Sequence, residues 1–227
     1  MVPVKPFQLP PFFDFGATFV WAVSGALLAA RRGYAILGIL ALALVSAAGG
    51  GLLRDGIFID DGPPALVRTP TYLWLIIAAA VLVILLGRRI ERVPHAQSAL
   101  LLTDALGLGA YATVGMDRAL AAGISLPGVM LVGMVNAVGG GMLRDVLLNN
   151  EQKLFKPGTL EQALALLGCA VFLVLTQALH ASAVTAAWFT ILTVFASRLL
   201  AIRFKIQSHP LSDFRSYWDR TREEDPD

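Results

Sequence analysis

Gly49-Gly50-Gly51-Leu52-Leu53-Arg54-Asp55 returns ninety residues later as Gly139-Gly140-Gly141-Met142-Leu143-Arg144-Asp145. Each copy interrupts an apolar stretch that is long enough to cross a bilayer. Two such stretches, marked at the same place by three glycines and followed by opposite charges, suggest a permeation pathway built from an internal repeat. The offset continues without a gap on the N-terminal side of the motif. Asp14 aligns with Asp104, Gly25 with Gly115, Gly33 with Gly123, Gly38 with Gly128, Val45 with Val135, Ser46 with Asn136 and Ala47 with Ala137. Packing alone explains scattered small residues in membrane helices. It does not explain a seven-residue block with a charged pair at a fixed offset.

Composition agrees. The chain has 227 residues, of which 56% are hydrophobic and 15% charged, and its mean hydropathy is +0.69. Soluble domains carry about 25% charged residues. Here the charges cluster between apolar runs, which points to an integral membrane protein. A net charge of +2 gives no footprint for nucleic acid. The single cysteine, Cys169, lies in an apolar run and reads as a core residue, so no disulfide framework exists. Residues 1–11 are rich in proline and lack the features of a cleavable signal peptide.

Seven apolar segments meet the length of a spanning helix: 12–30, 34–53, 71–87, 96–116, 123–143, 162–179 and 182–202. The expected fold is therefore an all-α integral membrane protein of seven transmembrane helices. Repeat one covers about residues 12–92 and repeat two about 96–180. A seventh helix follows at about 182–203, and all belong to one transmembrane domain, 1–205. Three spans per repeat is an odd number, so the second copy enters from the opposite side and the repeat is inverted. Arg31, Arg32, Arg88, Arg89, Arg92, Lys153, Lys156, Arg203 and Lys205 fall on one side. Only Lys5, Arg68 and Arg118 fall on the other, with Asp60, Asp61 and Asp117. Basic loops favour the cytoplasm, so the expected location is the plasma (inner) membrane, with the N-terminus outside and the polar tail, 206–227, in the cytoplasm.

The candidate pathway residues come from the two motifs and their alignment. Consecutive glycines cost helix stability, about 0.8–1.0 kcal/mol each relative to alanine. A kink or partial unwinding at Gly49, Gly50, Gly51, Gly139, Gly140 and Gly141 would offer carbonyl oxygens to a hard monovalent cation. Close helix packing is the other use of glycine there. Arg54, Asp55, Arg144 and Asp145 read as braces, a gate or a valence barrier. Exchanged pairing, Arg54 with Asp145 and Arg144 with Asp55, is geometrically attractive. Asp14 and Asp104 are symmetric carboxylates, and Asp104 lies well inside a span, where a charge is functional by default. Ser46 and Asn136 lie about one turn before the triplets and are candidates to line the same path. Trp21, Trp74, Trp188 and Tyr111 read as interfacial anchors or packing residues. Catalytic readings are weak, and an enzyme is not expected. His95, His180 and His209 have no spacing that joins Cys169 in a metal site, and GGGLLRD lacks the Gly-Lys-Ser/Thr ending of a phosphate loop.

These features resemble the bacterial branch of the trimeric intracellular cation channel family, over about residues 10–205. Sequences of this type also carry the label of a glycine-transporter-like domain. The resemblance implies a homotrimer in membrane lipid, with one pore in each protomer. It implies a pore lined by the first, second, fourth and fifth helices, the second and fifth kinked at the glycines. It implies conduction of monovalent cations, chiefly potassium, with no cofactor and no nucleic-acid partner. A different class, a secondary transporter of a small zwitterion such as glycine, shares inverted repeats and broken helices. The small size of each repeat favours the channel.

Overall fold

The computed structural model describes residues 9–59, 62–90, 96–149, 161–204 and 206. Asp60, Asp61, Arg92, His95, Lys153, Lys156, Lys205 and His209 lie outside the described residues, as do Lys5, most of the tail and the side chains of Arg88 and Arg89. All regular structure among the described residues is helical. In chain order the helices are α1 (Pro11–Arg31), α2 (Ile36–Leu53), α3 (Ala65–Arg68), α4 (Pro70–Ile90), α5 (Ala96–Ala121), α6 (Leu126–Leu147), α7 (Glu161–Leu173) and α8 (Ala183–Arg203). Among these, α1, α6, α8 and the segment Ile36–Phe58 are long and apolar enough to cross a membrane; Pro70–Leu86 and Gln162–Ala178 are shorter apolar helices. The seven expected segments fall on α1, α2 and α4 to α8. The single-turn α3 was not foreseen.

Local chemistry sets the boundaries. Pro11 opens α1 at a position where the missing N–H costs nothing. Gly33, at φ +72°, allows the chain to leave α1 through a left-handed residue; its N–H bonds Ala30 O and that of Tyr34 bonds Ala29 O. Ninety residues on, Gly123 at φ +73° repeats the turn, with its N–H on Leu120 O and that of Ile124 on Ala119 O. The sequence repeat is therefore a repeat of hydrogen bonds as well.

Two boundaries differ from expectation in a way that matters. The hydrogen-bonded helix runs through both glycine triplets without unwinding. The irregularity comes just after the first triplet, where Arg54–Phe58 form a π-helical turn. In the second repeat Arg144 and Asp145 simply continue α6. Both arginines therefore lie within continuous helix rather than in loops.

The core is built from small residues. Ala22, Ala26, Ala29, Ala43, Ala112, Ala119 and Ala137 are fully buried, so helix backbones approach closely. Cys169 is buried, as expected of a core residue. Trp74 and Trp188 are exposed, whereas Trp21 and Tyr111 are not interfacial. They are ninety residues apart, both are buried, and their rings meet edge to face at 5.4 Å near the centre of the bundle.

Candidate functional site

The glycines bring α2 and α6 into close contact. A methyl group on Gly50 would collide with the carbonyl oxygen of Asn136, and one on Gly140 with that of Ser46. A Cβ on Gly49 would lie 3.1 Å from Gly140 Cα, and one on Gly139 3.2 Å from Gly50 Cα. The third glycines differ. A Cβ on Gly51 would meet nothing nearer than Arg54 Nη2 at 3.8 Å, and one on Gly141 nothing nearer than Trp21 at 3.6 Å. Gly25 and Gly115 repeat the theme, lying against Ser46 and Asn136 respectively. The first two glycines of each triplet thus let α2 and α6 touch backbone to backbone, and Ser46 and Asn136 sit at that crossing.

A first polar cluster lies on one side of the crossing. The Arg54 side chain is only 3% exposed, and its Nε donates to Asp55 Oδ1 at 2.7 Å. Its Nη1 reaches Asn136 Oδ1 at 3.4 Å. Asp55 Oδ2 accepts the N–H of Ala65 at 3.1 Å, which explains why α3 starts there. Asp14 Oδ2 accepts from the Tyr72 hydroxyl at 2.7 Å and lies 3.5 Å from Arg118 Nη2. The Tyr111 hydroxyl donates to Ala47 O, and Thr18 Oγ1 is 3.2 Å away. Asn136 Nδ2 donates to Tyr111 O at 2.7 Å.

A second cluster lies on the other side. Arg144 Nη1 donates to Ser24 Oγ at 3.0 Å and is 3.5 Å from Asp104 Oδ1. Ser24 Oγ in turn donates to Asp104 Oδ1 at 2.6 Å. Arg144 Nε stands 4.0 Å from Asp145 Oδ1. Each arginine therefore faces its own neighbouring aspartate, not the aspartate of the other motif, and the exchanged pairing is not formed. The reason is placement: the clusters sit at opposite ends of the crossing. Each sets two carboxylates, Asp14 and Asp55 or Asp104 and Asp145, against one buried arginine. Such charges are expensive in an apolar bundle and persist only with partners. In the first cluster Arg118 also balances Asp14, whereas in the second, among the described residues, Asp104 and Asp145 share Arg144. Between them, Ser46 Oγ and Trp21 Nε1 are buried without a hydrogen-bond partner among the described residues.

Cavities reach the first cluster. One of about 750 Å³ is lined by Asp55, Arg68, Tyr72 and Arg118. Another, of about 270 Å³, lies between the N-terminal residues Leu9–Pro11 and α5 and reaches Asp14. Both adjoin a much narrower space of about 30 Å³, room for one or two waters, lined by Asp14, Thr18, Gly51, Arg54 and Tyr111. Sequence reasoning passed over Thr18, Ser24, Tyr72 and the pairing of Trp21 with Tyr111. The last was available from the ninety-residue offset; Ser24 was not, because its counterpart is Val114.

The fold and these buried charges define a helical membrane protein with two polar clusters inside its bundle. The family model described as "Glycine transporter" matches residues 11–88 and 101–177. The chain belongs to that family, as a prokaryotic member of the trimeric intracellular cation channel group. Crystal structures of the trimeric intracellular cation channel orthologue from Rhodobacter sphaeroides match with a TM-score of 0.77 at 28% identity, covering 86% of this chain and 97% of that one. A structure described as a basis for conductance through these cation channels matches with a TM-score of 0.77 at 27% identity, over 89% of this chain and 97% of that one. The UPF0126 membrane protein of Deinococcus radiodurans is 37% identical over 61% of this chain, and the inner membrane protein YadS of Escherichia coli 36% over 60%. These matches span 62% and 64% of the relatives' own lengths.

Proposed function

We propose that the chain is a homotrimeric channel for monovalent cations, chiefly potassium, with one pore in each protomer. The observation that carries this reading is the pair of buried arginine–carboxylate clusters at the two ends of the glycine crossing, the first reached from wide cavities. The preference for cations, and for potassium among them, follows from the family resemblance. In this reading α1, α2, α5 and α6 line the path and membrane lipid surrounds the protomers. The pore narrows where Gly49, Gly50, Gly51 and Gly139, Gly140, Gly141 approach, and the Arg54–Asp55 and Arg144–Asp145 regions govern opening. The fold is an inverted 3+3 repeat followed by α8. The matching turns after Gly33 and Gly123 support the repeat.

The family's description favours a second reading, a secondary transporter of glycine or a similar zwitterion. Each cluster pairs a guanidinium, suited to a carboxylate, with acids suited to an ammonium group. Reconstituted protein separates the two. Unitary potassium currents support the channel, and saturable, electrically silent glycine uptake supports the transporter.

The orientation, with the N-terminus outside and the tail in the cytoplasm, has its own test. Pro63→Cys is expected to react with an impermeant thiol reagent from outside intact cells. Arg31→Cys is expected to react only after permeabilisation, and the reverse pattern would reject the orientation. Cys169 is buried and adds little background.

A further inference from the structure

Asp14 and Asp104 are repeat counterparts, yet their cationic partners differ in kind. Asp104 is held by Arg144, whose side chain is 8% exposed. Asp14 is approached by Arg118, whose side chain is 49% exposed. The difference arises in the sequence: position 118 corresponds to position 28, which is leucine. Arg54, the counterpart of Arg144, is occupied at 2.7 Å by Asp55. Arg118 also lines both wide cavities, with Asp55 and Arg68 in the larger and Asp117 in the smaller. An ion pair at 3.5 Å whose guanidinium is half exposed contributes little, so that guanidinium is readily displaced. Tyr72, bonded to the same Asp14 oxygen at 2.7 Å, keeps the carboxylate in place when the guanidinium leaves.

We infer that Arg118 is a tethered cation that competes with permeant ions for Asp14 at one mouth of the path and makes conduction asymmetric. This rests on the channel reading. A cation arriving from the cavity side must displace the guanidinium to reach Asp14. At the other end the repeat counterpart of Arg118 is Leu28, which carries no charge.

The test is single-channel recording of the purified full chain in a planar bilayer with equal potassium chloride on both sides. R118L, which copies the residue of the other repeat, is expected to raise current entering from the Arg118 side about two- to fivefold, the equivalent of removing a weak ion pair. Current in the opposite direction changes less, so rectification shifts. R118K keeps the wild-type asymmetry. L28R, the mirrored change, is expected to lower current entering from the other side. If R118L does not assemble, R118Q removes the same charge. Wild-type currents with an unchanged current–voltage curve in R118L or R118Q overturn the inference and leave the channel reading intact. Absence of cation currents in the wild type overturns both.

Discussion

Gly50→Ala and Gly140→Ala are expected to be strongly destabilising, while Gly51→Ala and Gly141→Ala are tolerated. The added atom is the same, and so is the gain in helix propensity, about 0.8–1.0 kcal/mol. Only the surroundings differ. At positions 50 and 140 the methyl group meets a backbone carbonyl of the facing helix, which cannot rotate away as a side chain can. Overpacking of a tight core costs about 1–3 kcal/mol, and a backbone obstacle places these two at or beyond the upper end. At positions 51 and 141 the nearest atoms are 3.8 and 3.6 Å away, an ordinary contact. Thermal melting of the solubilised protein, followed by loss of the assembled species on gel filtration, reads the difference directly. Equal midpoints for Gly50→Ala and Gly51→Ala would mean that α2 and α6 do not cross at the triplets.

The second large effect is on the buried charges. Arg144→Met retains much of the apolar volume but leaves Asp104 and Asp145 facing each other's charge without a cation. Breaking a buried pair from one side costs about 3–5 kcal/mol, because the remaining charge loses its compensation. Adding Asp104→Asn removes one uncompensated carboxylate and keeps an acceptor for Ser24 Oγ. The double variant is therefore expected to recover part of the loss, with a coupling of about 0.5–3 kcal/mol. Strict additivity of the two substitutions in melting or denaturant titration would show that Arg144 and Asp104 do not act on each other.

The repeat was legible because it is written twice in residue types that are rare at such positions. Glycine triplets and an arginine–aspartate pair stand out in an apolar chain, and their offset led to Asp14, Asp104, Ser46 and Asn136. The use of the glycines was less legible. Three consecutive glycines lower helix propensity whatever surrounds them, so the sequence suggests unwinding. Packing decides otherwise, since α2 and α6 gain contact only while both remain helical. Which arginine meets which aspartate depends on where each turn of helix sits along the crossing, and residue spacing does not encode that. Trp21 and Tyr111 illustrate a related limit. Aromatic residues in apolar spans are often interfacial, and only the ninety-residue offset hinted that these two belong together at the centre.

Planar-bilayer recording of the purified protein under a potassium chloride gradient tests the proposed function most directly. The expected result is discrete unitary currents that reverse close to the potassium equilibrium potential. Currents reversing near the chloride potential would contradict the cation-channel reading. An electrically silent bilayer, with saturable glycine uptake by vesicles from the same preparation, would replace the channel with a transporter.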